Sequence, residues 1–259
     1  MHPPRASTTF APLVSRGTPF ILCGLLILLC AVAGSVTTSF AQEKRPTMSR
    51  AKASRSTVDS YTIMQRGDGY RVSITYPQTG NPVADAELAI WAREQASTFT
   101  ESVSLIPTRP PVPYELFITY ETLKASSRVI SVVFFISTSM GGAHPEPGMA
   151  TFVYDRHDGR RLSYSNLFTN QEGLARVFSA ICKTSLAEQL GDRAASDMLE
   201  AGTAPDMANF DLFAVVQNGI RVYFPPYQAA PYSEGYLTVA IPLADLAEFS
   251  PHTAFWDKP

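Results

Sequence analysis

Cysteine is scarce in this sequence. Three occur in 259 residues, and two of them, Cys23 and Cys30, lie inside an N-terminal apolar run. Loss of that run on export leaves Cys182 alone, and one thiol cannot close an internal disulfide, so the exported domain must rest on its hydrophobic core. Cys182 sits in the helical spacing Leu174, Val177, Phe178, Ile181, Cys182, Leu186 and is expected as a small buried apolar residue rather than a nucleophile. Histidine is nearly as sparse: after His2 come only His144, His157 and His252. Their spacing does not favour convergence, so no metal site is expected. There is no Gly-rich phosphate loop, Cys-x-x-Cys pair, His-Glu-x-x-His helix or Gly-x-Ser-x-Gly elbow, and no cofactor is expected. An excess of positive charge is also missing. A formal charge of −2 excludes a strongly basic nucleic-acid binder, which needs clustered Lys and Arg to neutralise phosphates. What is present is apolar and aromatic, at 45% and 11% of residues, which excludes a disordered chain.

The N-terminus reads as an export address. Arg5 and Arg16 precede a run from Phe20 to Ala33 without a polar side chain, and Ser39 and Ala41 place small residues at −3 and −1 before Gln42. This is a charged start, apolar middle and small-residue exit, a secretory signal over residues 1–41. The alternative is an uncleaved inner-membrane anchor, because the apolar stretch approaches the ~18 residues of a spanning helix. Residues 42–58 then carry Lys44, Arg45, Arg50, Lys52 and Arg55 against Glu43, a basic flexible linker. From residue 60 onward the balance reverses to 14 basic against 21 acidic side chains. The expected location is periplasmic or secreted, with membrane contact only through an uncleaved N-terminal segment.

Alternating β-branched and aromatic residues mark strands at 61–64 and 70–76, and helical spacing runs from Asp85 to about Glu101. A Pro-rich connector leads to a strand at 114–122, and the almost continuously apolar Val129–Ile136 reads as a strand buried on both faces at the sheet centre. Further strands are expected at 149–155, 210–216, 220–224 and 236–241, with a long amphipathic helix at 172–191 and a shorter one near 193–200. The order predicts an α+β fold: an antiparallel sheet with helices packed on one face, and no βαβ alternation. Residues 59–125 read as an N-terminal β-β-α-β part, 126–250 as a C-terminal α+β domain, and 251–259 as a tail.

Two segments depart from ordinary loop composition. In Met140-Gly141-Gly142-Ala143-His144-Pro145-Glu146-Pro147-Gly148, two glycines allow positive φ while the prolines stiffen the exit, so His144 can be held in place. Its imidazole serves either as an acid or base beside Asp155 or Glu146, or as a structural turn bonded to neighbouring backbone. In residues 224–236, three tyrosines and three prolines fall within thirteen positions. Tyrosine offers a large contact area at low entropic cost, and proline removes freedom that binding would otherwise have to remove. The contact residues expected here are Tyr227, Pro231, Tyr232 and Glu234, with Gly141, Gly142 and His144 adjoining.

The ordered set Pro113-Tyr114-Glu115-Leu116, Val129 to Val132, Gly141 to Pro145, Ser165-Asn166-Leu167-Phe168, Val222 to Tyr232, Gly235 and Ile241-Pro242 resembles a bacterial extracytoplasmic domain-of-unknown-function family. That family supplies the ectodomain of RsiV-type, lysozyme-sensing anti-sigma factors and precedes the catalytic domain of some peptidoglycan deacetylases. The resemblance spans about residues 60–246. It implies an α+β domain at the cell envelope that recognises lysozyme or peptidoglycan rather than performing chemistry. About 19 residues precede the apolar run and no deacetylase domain follows residue 246, so a free-standing periplasmic binding module is expected over a sigma-factor regulator. The alternatives are a periplasmic hydrolase of wall material using His144 with Asp155 or Glu234, and a structural or assembly protein.

Overall fold

The computed structural model describes residues 59–107 and 111–256. The expected signal segment, basic linker, part of the Pro-rich connector and the last three residues lie outside the described residues. Residues 59–256 fall in one compact unit. It is built from two sheets, where the sequence reading anticipated one. The first sheet has five strands in the order β1-β2-β3-β4-β5: β1 (Ser60–Gly67), β2 (Tyr70–Pro77), β3 (Tyr114–Lys124), β4 (Val129–Ser139) and β5 (Glu146–Asp155). The second has β6 (Phe213–Val216), β7 (Gly219–Phe224) and β8 (Leu237–Pro242). All pairings are antiparallel except β2 with β3. That exception forms a single βαβ unit within an otherwise antiparallel fold, with helix α1 (Pro82–Ser104) as the crossover that a parallel pair requires. The parallel register sets Arg71 beside Glu115, and the two form an ion pair at 3.2 Å.

Helix α1 starts sharply for local reasons. Asn81 caps it, its side chain accepting from Val83 N at 2.9 Å, and Pro82 occupies the first turn where no N–H is needed. Asp85 accepts from both Thr79 N and Thr79 Oγ1 at 2.6 Å, which fixes the entry of the chain. Ala84, Leu88, Ala92, Ala96, Phe99 and Val103 fall on one stripe and are all buried. They pack on Ile74, Ile118, Val132, Phe134 and Phe152 of the first sheet.

β4 lies one strand in from the edge, not at the centre, yet it is buried on both faces from Val129 to Phe134. Alternation explains it. Ile130, Val132 and Phe134 point to the α1 core, while Val129 and Val133 belong to clusters on the other side, where the second sheet lies. Two buried hydroxyls join the sheets. Ser131 Oγ donates to Val215 O (3.1 Å) and accepts from Val215 N (2.9 Å), and Thr151 Oγ1 accepts from Phe213 N (3.2 Å). Without them the β6 backbone groups would be buried without partners.

Helix α3 (Leu174–Leu190) covers the second sheet with Leu174, Phe178, Cys182 and Leu186. Cys182 is fully buried there and burial pushes its thiol up to about 12, as its helical position implied. Short helices α2 (Tyr164–Leu167) and α4 (Ser196–Gly202) complete this half. Among the described residues no helix is long and apolar enough to cross a membrane.

Candidate functional site

The two unusual loops meet. The His144 imidazole stacks on the Tyr232 ring with centroids 4.2 Å apart and planes 24° from parallel, and Tyr232 approaches Tyr227 at 5.8 Å. Tyr232 OH donates to Pro145 O at 3.5 Å, a long bond that ties one loop to the other. Beneath them Tyr236 donates to Gly148 O at 3.1 Å, and its ring meets Phe135 edge-on at 5.4 Å. Burial, and then the neighbouring Tyr232, push the Tyr236 phenol up, so it stays a neutral donor. His144 is exposed and Tyr227 is 56% exposed, while Pro231 and Tyr232 are half-buried. The result is a ridge of three rings with its outer face in solvent.

The Tyr227 backbone is unusual. Its φ is +72°, in the left-handed region that costs an L residue energy. The conformation is enforced from below. Tyr227 N donates to Ala230 O (2.9 Å) and Gln228 N to Pro225 O (3.1 Å), closing a tight loop. The Gln228 amide reaches down to Asn209 O (2.8 Å) and Gly202 O (3.2 Å), while Ala229 and Ala230 are buried. Gly202 permits this approach, because a Cβ there would lie 2.2 Å from Gln228 O. At the far end of the loop Glu234 pairs with Arg193 and is only 13% exposed against 64% for its partner. Glu234 is therefore an anchor of the loop rather than a free contact carboxylate.

The first loop uses one glycine conformationally. Gly141 adopts φ +84°, whereas Gly142 has no positive φ. Both are exposed beside the ridge.

Asp155 is not part of the ridge. It ends β5 while His144 precedes its start, and a ten-residue strand separates such positions by about 30 Å. Asp155 is fully buried, accepting Arg128 Nε and Nη2 at 2.9 and 2.6 Å and His157 N at 3.0 Å. Burial pushes its carboxyl up, but those donors outweigh burial and hold it below its ordinary value. The expected pairing of His144 with Asp155 thus fails on distance. His144 Nδ1 instead lies 3.2 Å from Pro145 O, and among the described residues no carboxylate pairs with it.

Sequence reasoning missed a cleft of about 460 Å³ between α1 and β5, floored by Trp91 and Phe152 and flanked by Glu87, Glu94, Arg161 and Asp211. Arg161 lies over the Phe152 ring at 4.4 Å. Its members are spread over 125 positions, and no local motif marks them.

The architecture is a mixed α+β domain that carries an aromatic ridge on its surface. Residues 165–244, which hold the Tyr/Pro loop, match the family described as "Protein of unknown function (DUF3298)". Among solved structures, a DUF3298 family protein from Pseudomonas aeruginosa PAO1 superposes with a TM-score of 0.57 at 15% identity, covering 79% of this chain and 99% of that one. A DUF3298 member from Bacteroides fragilis gives 0.51 at 14% identity, over 76% and 94%. These establish the fold. Among curated proteins, the Bacillus subtilis peptidoglycan-N-acetylmuramic acid deacetylase PdaC is 26% identical over 185 residues, 71% of this chain, which spans only 40% of that enzyme. Immunogenic protein MPT64 of Mycobacterium tuberculosis is 23% identical over 228 residues, covering 86% of this chain and 94% of MPT64.

Proposed function

We propose that this protein is an exported cell-envelope binding module that recognises lysozyme or peptidoglycan through the Tyr227–Tyr232–His144 ridge, with no catalysis of its own. The observation that carries this reading is the exposed Tyr227 ring, held in a left-handed conformation by a clamped loop. Rings fixed before binding offer contact area without an ordering cost, and their faces suit sugars or protein side chains. The acidic balance beyond residue 60 supports a basic protein partner, which it would steer toward the domain. The relationship to PdaC, whose name specifies a peptidoglycan substrate, supports an envelope setting and hence a periplasmic or secreted location. The hydrolase alternative has no comparable support, since among the described residues no carboxylate pairs with His144.

The test is binding of the full chain to c-type lysozyme and to peptidoglycan fragments at low salt. Saturable binding to one of them, weakened at least about tenfold in a Tyr227→Ala/Tyr232→Ala double variant, is expected for a ridge whose aromatics are the anchors. Absence of binding to both, or binding indifferent to the double variant, would overturn the reading.

A further inference from the structure

The opposite end of the β4–β5 pair carries a feature that the ridge does not use. Register matches Val129 with Asp155, so Arg128 and Arg156 leave the two strands directly opposite each other, with Arg156 N donating to Arg128 O at 2.7 Å. Like charges so placed repel. One of the two is neutralised: Arg128 donates twice to Asp155 and rests over the Phe255 ring at 5.0 Å. Among the described residues no counter-charge reaches Arg156. Its Nη1 donates to Ser127 O at 3.1 Å, its Nε–H is buried without a partner, and among the described residues no carboxylate pairs with it. The nearby carboxylates are committed elsewhere, Asp155 to Arg128 and His157 N, and Asp158 to Arg160 at 3.8 Å. Ser127, Arg128, Arg156 and His157 line a cavity of about 400 Å³, and among the described residues no acidic side chain lies on its wall.

We propose that this cavity is an oxyanion site that takes a phosphate or carboxylate group against Arg156, with Arg128 and His157 beside it. An anion there supplies the missing counter-charge and gives a planar guanidinium the forked acceptor that it binds best. A small rotation of the Arg156 head group brings the orphan Nε–H to the ligand, removing the cost of an unpaired buried donor. Arg128 needs no rearrangement, because Asp155 already fixes it.

The experiment titrates the full chain with inorganic phosphate, methyl phosphate or acetate at constant ionic strength, following arginine Nε–H resonances and the thermal midpoint. A saturable shift of the Arg156 resonance with a rise in midpoint is expected, and Arg156→Gln should weaken binding by about tenfold or more. Arg156→Lys keeps the charge without the fork, so an intermediate loss supports bidentate binding. Saturation by the phosphates alone assigns the site to phosphoryl groups, and saturation by all three to oxyanions generally. No saturable shift with any of them, or equal affinity in the wild-type and Arg156→Gln proteins, overturns the proposal. Ridge binding is read separately, so failure here leaves that reading standing.

Discussion

Replacing Tyr227 separates what its backbone costs from what its ring does. At φ +72° the residue occupies a region that penalises any Cβ by about 1–2 kcal/mol, while glycine enters it freely. Glycine carries back a penalty of about 0.5–1 kcal/mol through the greater freedom of its unfolded chain. Both Tyr227→Ala and Tyr227→Gly remove the same ring, which is 56% exposed and whose nearest aromatic neighbour is 5.8 Å away. Packing losses therefore cancel between the two variants. The glycine variant should be the more stable by about 0.5–1 kcal/mol, which for a unit of this size moves the thermal midpoint by about 1–4 °C. Ligand binding should fall equally in both. The assay is urea unfolding of both variants side by side with the binding measurement. An alanine variant as stable as the glycine variant would show that the left-handed backbone is not held in solution. The clamp argument would then go with it.

Two further outcomes follow from the supports around the site. Asp155→Asn should cost about 2 kcal/mol at neutral pH, less than the ~3–5 of a fully buried pair because Arg128 is 40% exposed and can turn to water. The Asp155 carboxyl is depressed in the fold, so its contribution is present above the ordinary carboxylate range and lost as pH falls through the folded value. Acid unfolding curves of wild type and Asp155→Asn should converge at low pH, and a constant gap would contradict the assignment. Gly202→Ala should cost about 1–3 kcal/mol, since its Cβ would meet the Gln228 carbonyl at 2.2 Å, and should also weaken ridge binding by displacing the clamp. A stable Gly202→Ala protein with unchanged binding would mean that the loop tolerates displacement.

Elements were legible in the sequence where their signal is local. The helical spacing through Leu88, Ala92, Ala96 and Phe99 marked α1, and the apolar run from Val129 marked a strand with both faces covered. Pairing was not legible, because a half-buried strand has the same period of two whether its neighbour runs parallel or antiparallel. The same limit hid the second sheet. Ser131 and Thr151 look like ordinary strand hydroxyls until β6, more than sixty positions on, supplies the backbone they bond. For the site, tyrosine and proline density marked the ridge. The clamp did not show, since Gln228 and Gly202 have no special composition and meet only through the fold. The Glu234 ion pair was hidden for a related reason: its partner Arg193 lies 41 positions away.

The strain at Tyr227 bears on why the ridge is there at all. A loop needed only to carry the chain from β7 to β8 could place glycine at this position and avoid the left-handed penalty. Here an exposed ring occupies it instead, and two side-chain hydrogen bonds from Gln228 and two buried alanines hold it. That arrangement spends folding energy on the orientation of a solvent-facing aromatic, which contributes little to the core. Display explains the arrangement and core packing does not. The Arg128–Arg156 end offers a control on this logic, since it lies a strand length away, about 30 Å. Charges there are screened at the ridge by a Debye length of about 8 Å in physiological salt. Salt dependence of ridge binding is then expected from charges near the ridge, among them exposed Glu146, two positions from His144. Glu146→Gln should flatten that salt dependence while Arg156→Gln leaves it unchanged, and the reverse result would show that the arginine end, not the aromatic ridge, meets the partner.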